Sequence, residues 1–290
     1  MKTFAVILLS LLLASGCSKG NKLNLTETGL LSSNASEIKE LTPESFLTMA
    51  QNLEREGDFI TASQFYSEAI SNDPNLLEAH LGLARIAAGL GEIEIALLHY
   101  GHILVLDPNN LAAVRYATPK LIGTERLGDA QKNLDRYLSS NPPTPELLNY
   151  LGVIHDLRAN HTAAQAAYRQ GLQMVRPGDN LHVILLSNQA LSLALGNKFS
   201  QAVFLLNPYI GDMRLGMDGM TKDQSSFRQN LALVYALSGK AESAFDVAKS
   251  TLPADQAEFN RAFYEAIPSL NSFQRARAVF LGVLPDSGGQ

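Results

Sequence analysis

Proline recurs in this chain with a period that leaves few folds open. Pro74, Pro108 and Pro142 stand 34 residues apart, each after a stretch whose apolar residues keep helical spacing. Proline cannot continue a helix, so each one closes a unit. The interior positions repeat as well. With units starting at Pro43, Leu77, Leu111 and Pro145, the eighth, twentieth and twenty-seventh positions hold Ala50, Ala62 and Ala69, then Ala84, Ala96 and Ile103. The next two units place Thr118, Ala130 and Tyr137, then Gly152, Ala164 and Gly171 there. Small residues fit where helices approach closely. Phe46, Leu53, Phe59 and Tyr66, then Leu83 and Tyr100, then Leu151 and Tyr168 supply the bulk around them. Gly57-Asp58 and Gly91-Glu92 fall between the two helices of the first two units, where a helix end favours left-handed backbone. Self-similarity at this period means stacked helix pairs.

The same pattern resembles the tetratricopeptide repeat (TPR) family. The expected fold is all-α, a TPR right-handed solenoid of about six helix pairs over residues 42–252, with C-terminal capping helices in residues 253–290. A fifth unit starts near Val183, with Asn188, Ala190, Leu193, Phe199 and Ala202. A sixth starts near Ser225, with Leu231, Ala232, Tyr235, Gly239 and Ala244. Between them Ile210 to Gln224 reads as an extended loop carrying Met213, Met217 and Met220, either a contact surface or a plain surface loop. Two departures stand out. Thr118-Pro119 lies inside the first helix of unit three, which should make that unit irregular. The fourth position, aromatic in Phe46, holds His80, Val114 and Leu148 in the later units. Gln256 to Ala266 and Ser272 to Val283 are expected to be the polar-faced helices that cap a solenoid.

Ahead of the repeats, residues 1–16 read as an export signal. Lys2 precedes the apolar run Phe4 to Ala14, which is shorter than the roughly 20 residues of a membrane span. Leu13-Ala14-Ser15-Gly16-Cys17 resembles the lipobox of bacterial lipoproteins, which implies a lipid on Cys17. A secretory signal with an incidental cysteine is the other reading. Cys17 is the one cysteine of the chain, so an internal disulfide is excluded. By the sorting rule of enterobacterial lipoproteins, Ser18 implies the periplasmic face of the outer membrane. Residues 17–41, rich in Ser, Asn, Gly and Thr, read as a lipidated flexible tether.

The chemistry of catalysis is hard to find. There is no glycine-rich phosphate loop, no serine elbow and no second cysteine. His99 and His102 have a spacing that could hold a metal, but no third ligand matches it, so they read as surface residues. His80, His155, His161 and His182 fall in different elements and form no cluster by spacing. A net charge of −5 argues against nucleic acid as partner. The chain therefore reads as a binding protein, with no enzyme activity and no cofactor. A lipid-anchored hydrolase is the disfavoured alternative.

In the TPR family the second, fifth, ninth and twelfth positions of each unit line a groove. By that resemblance the groove holds Glu44, Leu47, Gln51 and Glu54, then Glu78, Leu81, Arg85 and Ala88. Further on it holds Glu146, Asn149, Val153 and Asp156, then Ser187 and Leu191, then Gln229 and Leu233. Acidic residues gather towards the N-terminal end and apolar ones towards the C-terminal end. Such a groove suits an extended or helical segment with a basic part and an apolar part; the alternative is a set of solvated faces.

The sixth unit reads Phe227-Arg228-Gln229-Asn230-Leu231-Ala232-Leu233-Val234-Tyr235-Ala236-Leu237-Ser238-Gly239, and Leu252-Pro253 follows. With the lipobox and the repeats, this resembles the TadD family of tetratricopeptide lipoproteins of the tight-adherence (Tad/Flp) pilus assembly system. The resemblance implies a pilotin-like outer-membrane assembly factor. Its partner would be the secretin through which pili leave, or another pilus component. A type IVa pilus pilotin or another outer-membrane assembly lipoprotein is the rival.

Overall fold

The computed structural model describes residues 42–211 and 220–285. The signal sequence, Cys17, the tether, Met213 and Met217 lie outside the described residues. Among the described residues every regular element is helical. The first four pairs are α1 (Pro43–Glu56) and α2 (Phe59–Asn72), α3 (Leu77–Leu90) and α4 (Ile93–Leu106), α5 (Leu111–Gly123) and α6 (Leu127–Leu138), and α7 (Pro145–Leu157) and α8 (His161–Leu172). Their first helices begin 34 residues apart, and so do their second helices. Then come α9 (Asn180–Leu195) with α10 (Phe199–Leu206), and α11 (Lys222–Leu237) with α12 (Ala241–Lys249). Both α9 and α11 begin three residues ahead of the expected starts at Val183 and Ser225. Last are α13 (Ala254–Ala266) and α14 (Ser272–Leu281).

Local chemistry sets these ends. Thr42 caps α1 by accepting from the Ser45 amide, with Pro43 at the first helical position, and Thr144 with Pro145 does the same for α7. A full capping box, Thr221 with Gln224, opens α11. Gly57 and Gly91 take left-handed backbone at φ 86° and 77°, as their turn position requires. The same position of the next two units is also left-handed but holds Glu125 (φ 59°) and Ala159 (φ 57°). Those two residues carry a strain that glycine would not. Unit three keeps its first helix despite Pro119: α5 runs through it to Gly123, forgoing one backbone hydrogen bond.

The chain divides into two compact units, one up to Lys120 and one from Leu121, with the boundary inside α5. In the first, α1 packs on α2, α2 on α3 and α3 on α4. Its core is built from Ala50, Ala62, Tyr66, Ala69, Ala79 and Ile86, with Phe46, Leu53 and Leu83 against them. In the second, α7 to α12 pack in sequence and α13 continues on α12 and α11. All twelve residues at the eighth, twentieth and twenty-seventh positions of the first four repeats are buried. Small size has a direct cause at Gly82 and Gly152. A β-carbon on Gly82 would overlap the Tyr66 ring, and one on Gly152 the Tyr168 ring.

The last helix departs from the expected terminal cap. A single 3₁₀ turn, Ile267–Ser269, follows α13 and packs on α11. It redirects the chain so that α14 lies against α7 and α9, well before it in the sequence.

These features predict opposite effects from two small substitutions. Gly152→Ala overpacks against Tyr168 and should destabilise the protein by about 1–3 kcal/mol. Ala159→Gly relieves left-handed strain and should stabilise by about 0.5–1 kcal/mol after the entropic cost of glycine. Urea unfolding midpoints of the two variants check both signs.

Candidate functional site

In the N-terminal unit the positions assigned to a groove lie on α1 and α3. Glu44, Gln51, Glu78 and Arg85 are exposed, Leu47, Leu81 and Ala88 half-buried. Glu54 is committed inside the fold. Arg85 grips it with both ends of its guanidinium, Nε donating to Oε1 at 3.0 Å and Nη2 to Oε2 at 2.8 Å. The Tyr66 hydroxyl also donates to Oε2. Burial pushes the Glu54 carboxyl up, but the bonds from Arg85 and Tyr66 outweigh it and hold the pKa below the ordinary value. Glu54 and Arg85 thus neutralise each other, and the open acids on this face are Glu44 and Glu78.

The C-terminal unit differs. Asn149, Val153, Ser187, Leu191 and Leu233, all at groove positions, are buried; Glu146 and Gln229 are half-buried. The Tyr150 hydroxyl donates to Glu146 at 2.9 Å, and the Gln229 amide to Ser225 Oγ at 3.2 Å. The face is not open here as it is on α1 and α3, and α14 rests on α7 and α9. Asn188 Nδ2 donates to Asn149 Oδ1 at 2.8 Å, while Asn188 Oδ1 and Ser187 Oγ stay buried without a partner.

Asp156 is not a groove residue. It is wholly buried, and three groups converge on it. His161 Nδ1 donates at 2.8 Å, Ser192 Oγ at 2.8 Å and the Tyr168 hydroxyl at 3.1 Å. The carboxylate therefore joins α7, α8 and α9. Loss of water raises its pKa more than these three bonds lower it. The spacing signal was there to be read. Tyr66 lies 12 residues after Glu54, and Tyr168 lies 12 residues after Asp156.

Three histidines meet that spacing had kept apart. His80 on α3 is buried and its Nδ1 lies 3.1 Å from His99 Nδ1 on α4, while its Nε2 reaches the Pro74 carbonyl. The His80 ring stacks on His102 at 5.0 Å. Burial, with His80 and His102 alongside, lowers the His99 pKa to about 4. The rings stack instead of converging, and among the described residues no group of three His, Cys, Asp or Glu side chains is arranged to hold a metal. An open cleft of about 570 Å³ between α8, α9 and α10 is lined by Gln165, Arg169, Gln189, Lys198, Ser200 and Phe204, with no acid among its lining residues. Among the described residues no helix is long and apolar enough to cross a membrane.

Arg228, in the stretch that carries the TadD resemblance, is buried at 2% exposure. Nε donates to the Ile210 carbonyl at 2.8 Å and Nη1 to that of Ser250 at 3.4 Å. It ties the segment after α10 to the end of α12.

Solved structures share this architecture. The Cut9–Hcn1 assembly of the APC/C aligns with 79% of this chain and 43% of its own at a TM-score of 0.51 and 16% identity. The fold is that of the tetratricopeptide repeat proteins. A tetratricopeptide repeat protein from Parabacteroides merdae aligns over 80% of this chain and 85% of its own, at 16% identity and a TM-score of 0.48. PilW, a type IV pilus biogenesis factor, aligns over 80% and 96%, at 16% identity and a TM-score of 0.49. No family model matches the chain, and no curated protein matches its sequence.

The buried carboxylate gives a prediction with a definite sign. Asp156→Ala takes the acceptor from the buried Tyr168 and Ser192 hydroxyls and the half-buried His161 Nδ1, with only Ser192 keeping another acceptor, the His161 carbonyl at 3.4 Å, and should destabilise by about 3 kcal/mol. Asp156→Asn keeps an acceptor and should cost less. A raised carboxyl pKa means the folded protein holds its proton at pH values where the unfolded chain has released it. Stability contributed by Asp156 therefore falls as pH rises from its ordinary value of 3.8 towards the raised one. That part of the slope should vanish in Asp156→Asn, measured by urea unfolding from pH 4 to 7.

Proposed function

We propose that the chain is a non-enzymatic, lipid-anchored scaffold of a Tad/Flp-type pilus machine, assisting secretin assembly or localisation at the periplasmic face of the outer membrane in the manner of a pilotin. The observation that carries a binding role is the open face of α1 and α3. It presents Glu44 and Glu78 beside the half-exposed Leu47 and Leu81, a surface for a segment with basic and apolar residues. The pilus assignment draws on the sixth repeat from Phe227 to Gly239 together with the lipobox at Cys17. Anchoring follows from the same cysteine. Among the described residues no helix offers a span, so acyl chains on Cys17 supply the membrane affinity, each buried methylene contributing about 0.8 kcal/mol.

The test uses two variants of the full chain. Glu44→Lys with Glu78→Lys reverses the open charges without touching the Glu54–Arg85 pair. Capture of the secretin from membranes should drop several-fold, most at low salt, with the melting curve unchanged. Cys17→Ser should leave a folded protein that takes up no labelled palmitate and is missing from the outer-membrane fraction. Undiminished secretin capture by the charge-reversed chain contradicts the binding face. Normal outer-membrane recovery of unlabelled Cys17→Ser contradicts the anchor.

A further inference from the structure

The ligand chemistry read from the groove positions, a segment part basic and part apolar, already exists within the chain. It is α14. This helix buries Ala276, Ala278, Val279 and Phe280 and carries Arg275 and Arg277 with no acid. Its sequence specifies a complete unit: an Asn271–Gln274 capping box at the start and a left-handed Gly282 at the end. It lies on α7 and α9, first helices of their pairs, whose fifth and ninth positions are buried. Those positions are open or half-open on α1 and α3.

Three details describe a seat for a helix that comes and goes. On α9, one of the two helices under it, Ser187 Oγ and Asn188 Oδ1 are buried with no partner, and burying polar groups unpaired is costly. The charged tie is at the surface: Arg277 Nη2 donates to Glu125 at 2.6 Å with both side chains about two-fifths exposed. Such exposed pairs add little stability. Glu125 itself occupies the left-handed turn position that is glycine in the first two repeats.

We propose that α14 is an internal stand-in for a partner's amphipathic helix: it covers α7 and α9 in the free protein and is displaced by a helix with a small-apolar strip flanked by arginine. This rests on the reading of the chain as a partner-binding scaffold, and it adds a second, gated surface to the open one on α1 and α3. A partner helix with one hydrogen-bonding side chain in its strip would satisfy Ser187 and Asn188, which α14 leaves unmet, and so outcompete it.

The experiment uses the full chain in detergent and, as probe, a labelled peptide with the sequence of residues 270–284. Hydrogen exchange of the unmodified chain should show α14 amides exchanging at least tenfold faster than those of α11. Phe280→Asp loosens α14 without deleting it, and should bind the peptide at least tenfold more tightly than the parent does. Equal protection of α14 and α11 overturns the proposal. So does loss of cooperative unfolding in Phe280→Asp, which would make α14 a permanent part of the core. Equal peptide binding by parent and variant overturns it too, as does a dimer that exchanges α14 between copies. No pilus component takes part, so a failure here is distinct from a failure of secretin capture.

Discussion

One kind of contact recurs in both units of this structure: a tyrosine ring laid against the backbone of a glycine, on the next repeat's first helix at Gly82 and on its own repeat's first helix at Gly152. Tyr66 lies against Gly82 and Tyr168 against Gly152. The close approach buries each ring completely and aims its hydroxyl at a carboxylate 12 residues upstream, Glu54 or Asp156. Each carboxylate then takes a second donor from the next first helix, Arg85 on α3 or Ser192 on α9. Packing by small residues thus leads to a polar clamp, and the clamp fixes one repeat on the next. A half-buried Glu54 and a buried Asp156 both need these donors, so the contact also favours one register.

Much of this was legible beforehand because it follows from local chemistry. The helix starts are visible in the spacing of prolines and threonine caps, and the buried alanines in the repeat itself. The clamp escaped notice for a physical reason. Glu54 and Asp156 sit at a position that TPR chains usually turn outwards, and only the tyrosine 12 residues on reveals that they turn in. The left-handed turns at Glu125 and Ala159 were hidden because side-chain identity was the signal and neither is glycine. His80 was separated from His99 and His102 by sequence distance, and only the α3–α4 pairing unites them. The seat of α14 is a tertiary fact: an amphipathic pattern shows that a helix has a face to bury but not against what.

The consequence for function is a division between two kinds of surface. In the N-terminal unit, Glu44 and Glu78 stand in water beside Leu47 and Leu81, open to a partner as they are. In the C-terminal unit the corresponding positions on α7 and α9 are buried, and the chain's own α14 lies on those two helices. Glu54 and Asp156, which resemble recognition acids in sequence, belong to stability.

We propose that the exposed first-helix face of the N-terminal unit is where a secretin is held. Site-specific photocrosslinking in cells tests it most directly, with the reactive side chain placed at Gln51 in one strain and at the exposed Phe204 of α10 in another. The account predicts an adduct with a secretin subunit, identified by mass spectrometry, at Gln51 and not at Phe204. Secretin adducts of equal yield at both positions, or adducts at Phe204 alone, would contradict it.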